Sequence, residues 1–202
     1  IKNNLDIKKN NYDIKIYTEQ KNDKFKKIIK INDDQSKVSL HFLNQSISYL
    51  IFLPEMERLF QASPSYRRNF LDRLIFSGRN DYNRLINKYK KAVQERAKIL
   101  QAHNVDDDWL NNLEKEICSL GLEIYKLRNS QLNSINNQLK SLKNDHKFQF
   151  NVELEIDDDF FNRSIDLEKY LLNLKNSRVY DKQYGGIKIG PHRSDFISKI
   201  NN

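Results

Sequence analysis

Arg67 and Arg68 place two guanidinium groups side by side in a chain of 202 residues. They stand just inside a helix start. Ser63 can accept a hydrogen bond from a free backbone N–H, and Pro64 suits the first helical position. Guanidinium groups near a helix N-terminus, where backbone N–H groups lack partners, are suited to phosphate contact. Neighbours on a helix diverge by about 100°. Two readings therefore stand open. Either one arginine meets a phosphate while the other faces the protein, or one pairs with Asp72 or Glu55 across a junction. Downstream, Arg84, Lys88 and Lys91 recur at helical spacing and form a basic stripe. From Pro54 to His103 there are eleven Lys/Arg and five Asp/Glu, so 11 − 5 = +6 of the formal +8 falls in a quarter of the sequence. Concentrated positive charge suits a polyanionic partner; a solvated helix face in a lysine-rich chain is the plainer alternative.

Other chemistries find little support. The four histidines, His41, His103, His146 and His192, show no metal-ligand spacing with Cys118 or carboxylates. Cys118 stands alone in a helical pattern, which excludes an intramolecular disulfide and fits a reducing compartment. No serine lies in a G-x-S-x-G elbow. Asp157-Asp158-Asp159 follows a run that alternates, F-Q-F-N-V-E-L-E-I, and reads as a solvated turn after a strand. No G-x-x-x-x-G-K-[ST] occurs, so the loop that cradles phosphates is lacking. No apolar run approaches membrane-span length. Composition is that of a folded chain, 38% apolar with eleven Phe and ten Tyr.

The segment Phe52–Asp72, F-L-P-E-M-E-R-L-F-Q-A-S-P-S-Y-R-R-N-F-L-D, resembles the RecF family of DNA replication and repair ATPases. Their pattern runs roughly F-x-P-E-x-x-x-L-x-x-x-x-P-x-x-R-R-x-F-L-D, and Ala62 stands where many members have Gly. Tyr82–Leu100 resembles the family's next helix, and Gly190-Pro191-His192-Arg193-Ser194-Asp195 resembles its G-P-H-R-x-D. The resemblance covers about Lys27 to Phe196. It implies an ABC-type ATPase head, related to that of SMC proteins, with DNA binding, an ATP-dependent homodimer, and RecR and RecO as partners in recombinase loading at gapped DNA. Recombinational repair, the SOS response and a cytoplasmic location go with it. ATP and Mg²⁺ are implied for the full-length protein. In the family the Walker A loop precedes the stretch matching residue 1, and the signature and Walker B follow that matching Asn202. The chain, which opens at Ile1, reads as a central fragment inactive by itself. Glu55 falls where related ATPases carry a loop joining two lobes. His192 and Arg193 fall where the chain returns to the head, at a lobe interface. A head fragment of an SMC-like ATPase is the alternative, disfavoured because the chain leaves the head near Pro54 and returns by Gly190.

The elements that must position these residues give an α+β chain. Residues 1–53 read as β-rich, with alternation at Asp13–Tyr17, Lys27–Ile31 and Lys37–Leu40, and a strand at Tyr49–Leu53 closed by Pro54. Residues 54–180 read as a mainly helical lobe. Phe70, Leu71, Leu74 and Ile75 share one face, as do Tyr82, Leu85, Ile86, Tyr89, Val93 and Leu100. After a break at 102–104, Leu110, Leu113, Ile117, Leu120, Ile124 and Leu127 form the seam of a long helix, making an antiparallel pair. Trp109 and Cys118 read as core residues, and Gly121 as a close crossing. A strand at 148–156, a helix at 165–175 and a turn at Tyr184–Gly186 follow. Residues 181–202 read as a return strand, Ile187–Ile189, carrying G-P-H-R into the head.

Overall fold

The computed structural model describes residues 2–7, 10–21, 24–46, 54–102, 104, 106–144, 151–162 and 166–201. The chain parts into two compact units, Ile1–Tyr49 and Leu50–Asn202.

In the first unit β1 (Lys2–Ile7), β2 (Asn10–Lys21) and β3 (Lys24–Ile31) form an antiparallel sheet in that order, with Leu5 opposite Tyr12 and Tyr17 opposite Ile28. Alternation buries Ile14 and Ile31. Asn32 and Asp33 turn the chain at φ 49° and 65°, a left-handed conformation their short polar side chains tolerate. The strand read at Lys37–Leu40 is instead the start of α1 (Lys37–Ser46). The Asp34 carboxylate accepts the Ser36 N–H at 2.9 Å and the Ser36 hydroxyl at 2.7 Å, and also the Ser39 hydroxyl. That network holds Asp34 below the usual carboxylate range. A local cap thus overrides a four-residue alternation. The apolar run Tyr49–Leu53 lies outside the described residues.

The second unit is helical with a two-stranded sheet. A 3-10 segment (Pro54–Gln61) leads to α2 (Pro64–Gly78), α3 (Tyr82–Gln101) and α4 (Asp107–Asn144). Then come β4 (Asn151–Asp157), the short α5 (Asp159–Asn162), α6 (Leu167–Tyr184) and β5 (Asp195–Asn201). Helix α4 is one unbroken element of 38 residues, about 57 Å long at 1.5 Å per residue. It packs against α2, α3, α6 and β4. Two bridges set α3 antiparallel to α4: Arg96 pairs with Glu114, and Tyr82 and Arg128 meet on Asp72. Both lie symmetrically about residue 105, as a helical hairpin requires.

The core follows the apolar stripes. Leu71, Ile75, Tyr82, Ile86 and Tyr89 face Ile117, Cys118, Ile124 and Tyr125, with Tyr170 and Leu174 from α6. Gly121 admits the Tyr170 ring, since a Cβ there would lie 2.9 Å from a ring carbon. Trp109, read as core, is 52% exposed: the next residue, Leu110, takes the buried position. The return strand also differs. Ile187–Ile189 forms no strand; the strand is β5, paired antiparallel with β4, Ile156 opposite Phe196. The G-P-H-R turn therefore precedes the strand instead of ending it. Residues 181–202 accordingly belong to the same unit as the helices. Of the strand read at 148–156, residues 151–156 fall in β4, while Phe148 and Phe150 lie outside the described residues.

Candidate nucleic-acid interface

Three stretches far apart in sequence converge beside the first turns of α2. Ser63, at φ −70° and ψ 156°, accepts the Tyr66 N–H on its hydroxyl and starts the helix. That start sets Ser65, Arg68, Asn69 and Asp72 along one edge at i, i+3, i+4 and i+7. The middle of the α3–α4 hairpin supplies Tyr89, Lys90, Ile124 and Arg128. The turn before β5 supplies Pro191 and His192. Together they line a cleft of about 210 Å³.

Arg67 faces away from this cleft, into a fork-to-fork pair with Asp195. Its Nε and Nη2 donate to the two carboxylate oxygens at 2.8 and 2.6 Å, and Nη1 donates to the carbonyls of Phe60 and Ala62. The Asp195 hydrogen bonds raise the arginine's pKa. Against the pull of burial, Arg67 and the Phe196 N–H hold the Asp195 carboxyl low. The arginine is thereby committed to joining α2 to β5.

Arg68 differs at every point. It donates from Nη1 to the Ser194 carbonyl at 2.7 Å and pairs with no carboxylate among the described residues. Burial, then the nearby Arg128 and Arg193 charges, lower its pKa. It is a cation whose surroundings do not neutralise it.

Arg128 is nearly buried. Its Nε and Nη2 donate to the Asp72 carboxylate at 2.9 and 3.0 Å, and Nη1 donates to the Pro191 carbonyl and, at 3.1 Å, to the Ser194 hydroxyl. Asp72 also accepts the Tyr82 hydroxyl at 2.6 Å. Asp72 therefore does not take up Arg67 or Arg68. The Glu55 side chain lies outside the described residues.

His192 is fixed between two partners. Nε2 donates to the Ile187 carbonyl at 3.0 Å, so Nδ1 accepts the Tyr89 hydroxyl at 2.8 Å. Burial, and the charges of Arg193, Arg68 and Arg128, lower its pKa and favour the neutral ring. Gly190, at φ 112°, lets the turn approach: a Cβ there would lie 2.6 Å from the Tyr89 hydroxyl and nearer still to that of Tyr170. Arg193 is exposed, with one long bond from Nε to the Ile187 carbonyl at 3.4 Å.

The structure thus gathers Arg67, Arg68, His192 and Arg193 at one junction. Arg84, Lys88 and Lys91 stand apart from it, exposed on the face of α3 opposite its buried side. They form no ion pair among the described residues, although Arg84 helps lower the pKa of Asp81. Two contributors were not singled out from sequence, Lys90 and Arg128, and Asp195 was named only as the end of the G-P-H-R-x-D motif. Arg128 carried a signal, being a lone cation on the apolar seam that runs through Ile117, Ile124 and Leu132.

Fitness for the cofactors can be judged from the glycines. Gly185 and Gly186 follow the last turn of α6, where Gly185 is the left-handed cap at φ 75°. A phosphate-cradling loop instead opens a helix, so Gly185 and Gly186 do not form one. No group of three His, Cys, Asp or Glu among the described residues can hold a metal ion. Asp158 accepts the Phe160 N–H and the Tyr125 hydroxyl, so it works as a cap. Among those residues no helix is long and apolar enough to cross a membrane.

No protein-family model matches the chain. Among curated proteins, the DNA replication and repair protein RecF of Rickettsia akari is 30% identical over 171 residues, covering 82% of this chain and 47% of that protein. RecF of Rhizobium leguminosarum bv. trifolii is 31% identical over 173 residues, covering 84% and 46%. The chain thus spans about half the length of the curated relatives it matches. A solved structure of the recombination mediator protein RecF with ATP, from the RecFOR pathway, superposes with TM-score 0.73 at 27% identity, covering 95% of this chain and 52% of that one.

Proposed function

We propose that this chain, which belongs to the RecF family, is the DNA-engaging part of a RecF-like replication and repair ATPase. The observation that carries the reading is the one-sided charge of α3. Arg84, Lys88 and Lys91 stand on its outer face, exposed and without an ion pair among the described residues, in the same unit as Arg68, which has no carboxylate pair there. Such a face meets phosphates without reading bases, so it binds DNA by its backbone and with strong salt dependence. Arg67 serves this role indirectly by holding α2 to β5. His192 and Arg193 order the turn that closes the junction.

In this reading the first unit supplies strands of an ABC-type head, and the second unit is a mainly helical lobe of the same parent protein. ATP and Mg²⁺ are held, in this reading, by parts of the parent protein outside this chain. ATP-dependent pairing of two heads, cooperation with RecR and RecO and recombinase loading at gapped DNA in the cytoplasm are expected of that parent. By itself the chain hydrolyses no ATP.

The test is duplex-DNA affinity of the chain against salt concentration. The triple variant Arg84→Gln, Lys88→Gln, Lys91→Gln is expected to bind more weakly on every sequence, with a salt slope shallower by about three. A triple variant with the wild-type slope and affinity removes DNA from the account.

A further inference from the structure

The cleft between α2 and the α3–α4 hairpin is not needed for the reading above, and its chemistry is more specific than a basic surface. Three cations reach it: Arg68, Lys90 and Arg128. Asp72, the carboxylate lining it, is already taken by Arg128 and Tyr82. The Arg128–Asp72 pair is therefore neutral, and burial beside Arg193, Arg68 and Arg128 favours the neutral His192 ring. Arg68 and Lys90 remain, without a carboxylate partner among the described residues. Arg193 adds positive potential from outside the lining. Ser65 and Asn69 bring neutral hydrogen-bonding groups to the same wall. Two uncompensated cations around a concave space, with polar groups between them, complement an oxyanion.

Size narrows the class. At about 30 Å³ per water, a 210 Å³ cleft holds roughly seven waters. It lies below the 300 Å³ or so at which pockets begin to enclose a drug-sized ligand. One oxyanion group fits inside.

We infer that this cleft is a discrete binding site for a single phosphate group, held by Arg68 and Lys90, with Ser65 and Asn69 donating hydrogen bonds from the α2 side. Arg128 shapes the site without being consumed by it, because Asp72 takes its fork. The phosphate is either a backbone diester of nucleic acid or the phosphate of a mononucleotide whose base stays outside. Both present the same oxygens to the same groups.

The experiment is a proton–nitrogen NMR titration of the chain with inorganic phosphate at constant ionic strength. Saturable shifts are expected at Ser65, Arg68 and Asn69. Arg68→Gln and Lys90→Gln should each weaken phosphate about tenfold or more, as loss of a charge-assisted bond implies. The α3 triple variant should bind phosphate as wild type does. Acetate competing as strongly as phosphate, or either single variant titrating normally, overturns the assignment. Displacement of phosphate by a short duplex but not by AMP names nucleic acid as the source, and the reverse names a nucleotide. Displacement by neither means an adventitious ion only, and overturns the proposal. A chain that binds duplex DNA through the α3 stripe yet shows no saturable phosphate shift keeps its proposed function and loses this site.

Discussion

Two ionic clusters in the helical unit are built from the same residue types and reach opposite ends. At the closed one, Arg96 is fully buried. It donates to Glu114 at 2.8 Å, to Asp181 at 2.7 Å and to the Leu174 carbonyl at 2.8 Å. Arg178 then covers the far side of Glu114, and Ser177 donates to Asp181. Two cations meet the buried carboxylates of Glu114 and Asp181, and Arg178 also reaches the exposed Asp107 at 3.4 Å; Asp181 Oδ1 has no hydrogen-bond partner among the described residues. At the open cluster, Arg67, Arg68, Arg128 and Arg193 form carboxylate pairs, among the described residues, with Asp72 and Asp195 alone. The physical rule separating them is desolvation. A charge taken fully out of water must be matched, so the core tolerates no surplus. A cleft still wetted on one side can keep one, and a surplus there is available to a ligand.

The largest effects should come from breaking the closed cluster. Arg96→Ala strands Glu114 and Asp181 inside the core and should cost about 3–5 kcal/mol, or unfold the second unit outright. Chemical denaturation measures it; a loss under 1 kcal/mol would mean that water reaches this core. Ile124→Asp tests the same principle where the core meets the cleft. Ile124 is fully buried, and an unpaired carboxylate there should cost about 3 kcal/mol or more. An unchanged melting curve would remove the seam assignment.

Next comes Arg67, the paired member of the open cluster. Arg67→Ala leaves Asp195 half-shielded beside apolar Phe196 and should lower stability by about 2 kcal/mol, with the salt slope of DNA binding unchanged. Arg68→Ala should do the reverse. Its stability should shift within about 0.5 kcal/mol, while the salt slope falls by about one. Equal behaviour of the two variants in both assays would erase the distinction between paired and surplus arginines.

The smallest effect is the pH response of His192. Its native pKa lies below the ordinary 6.5, so the folded state binds this proton more weakly than the unfolded one. The stability it contributes is complete above about 6.5 and drains as the pH falls through the lowered native value. Denaturation midpoints for wild type and His192→Gln should therefore run parallel above neutrality and converge below it. Parallel curves down to pH 5 would show that the ring titrates normally. Cys118 offers a check on the core: burial pushes its thiol up to about 12, so alkylation should require unfolding.

Local signals were strong enough to be read directly where one residue or one period decides the outcome. Ser63 and Pro64 start α2 because a cap and a proline act within one turn. The seam through Ile117 and Ile124 appears as a buried stripe because period and burial are the same fact on a helix. The charge of α3 lies where its spacing placed it, since exposed cations need no partner to define them. Tertiary structure decided the rest. Sequence left Arg67 and Arg68 equivalent; a carboxylate 128 residues downstream made one a clasp and left the other bonded to the Ser194 carbonyl alone, without a carboxylate among the described residues. Trp109 went outward because Leu110 fills the hairpin. Ile187–Ile189 formed no strand because Gly190 turns the chain there and β4 pairs with Asp195–Asn201. Lys90 and Arg128 gained meaning only when α2, the hairpin and the last turn met around one cleft. Periodicity reports which face of an element is buried; only the packed fold determines which charges on the remaining faces are answered and which are not.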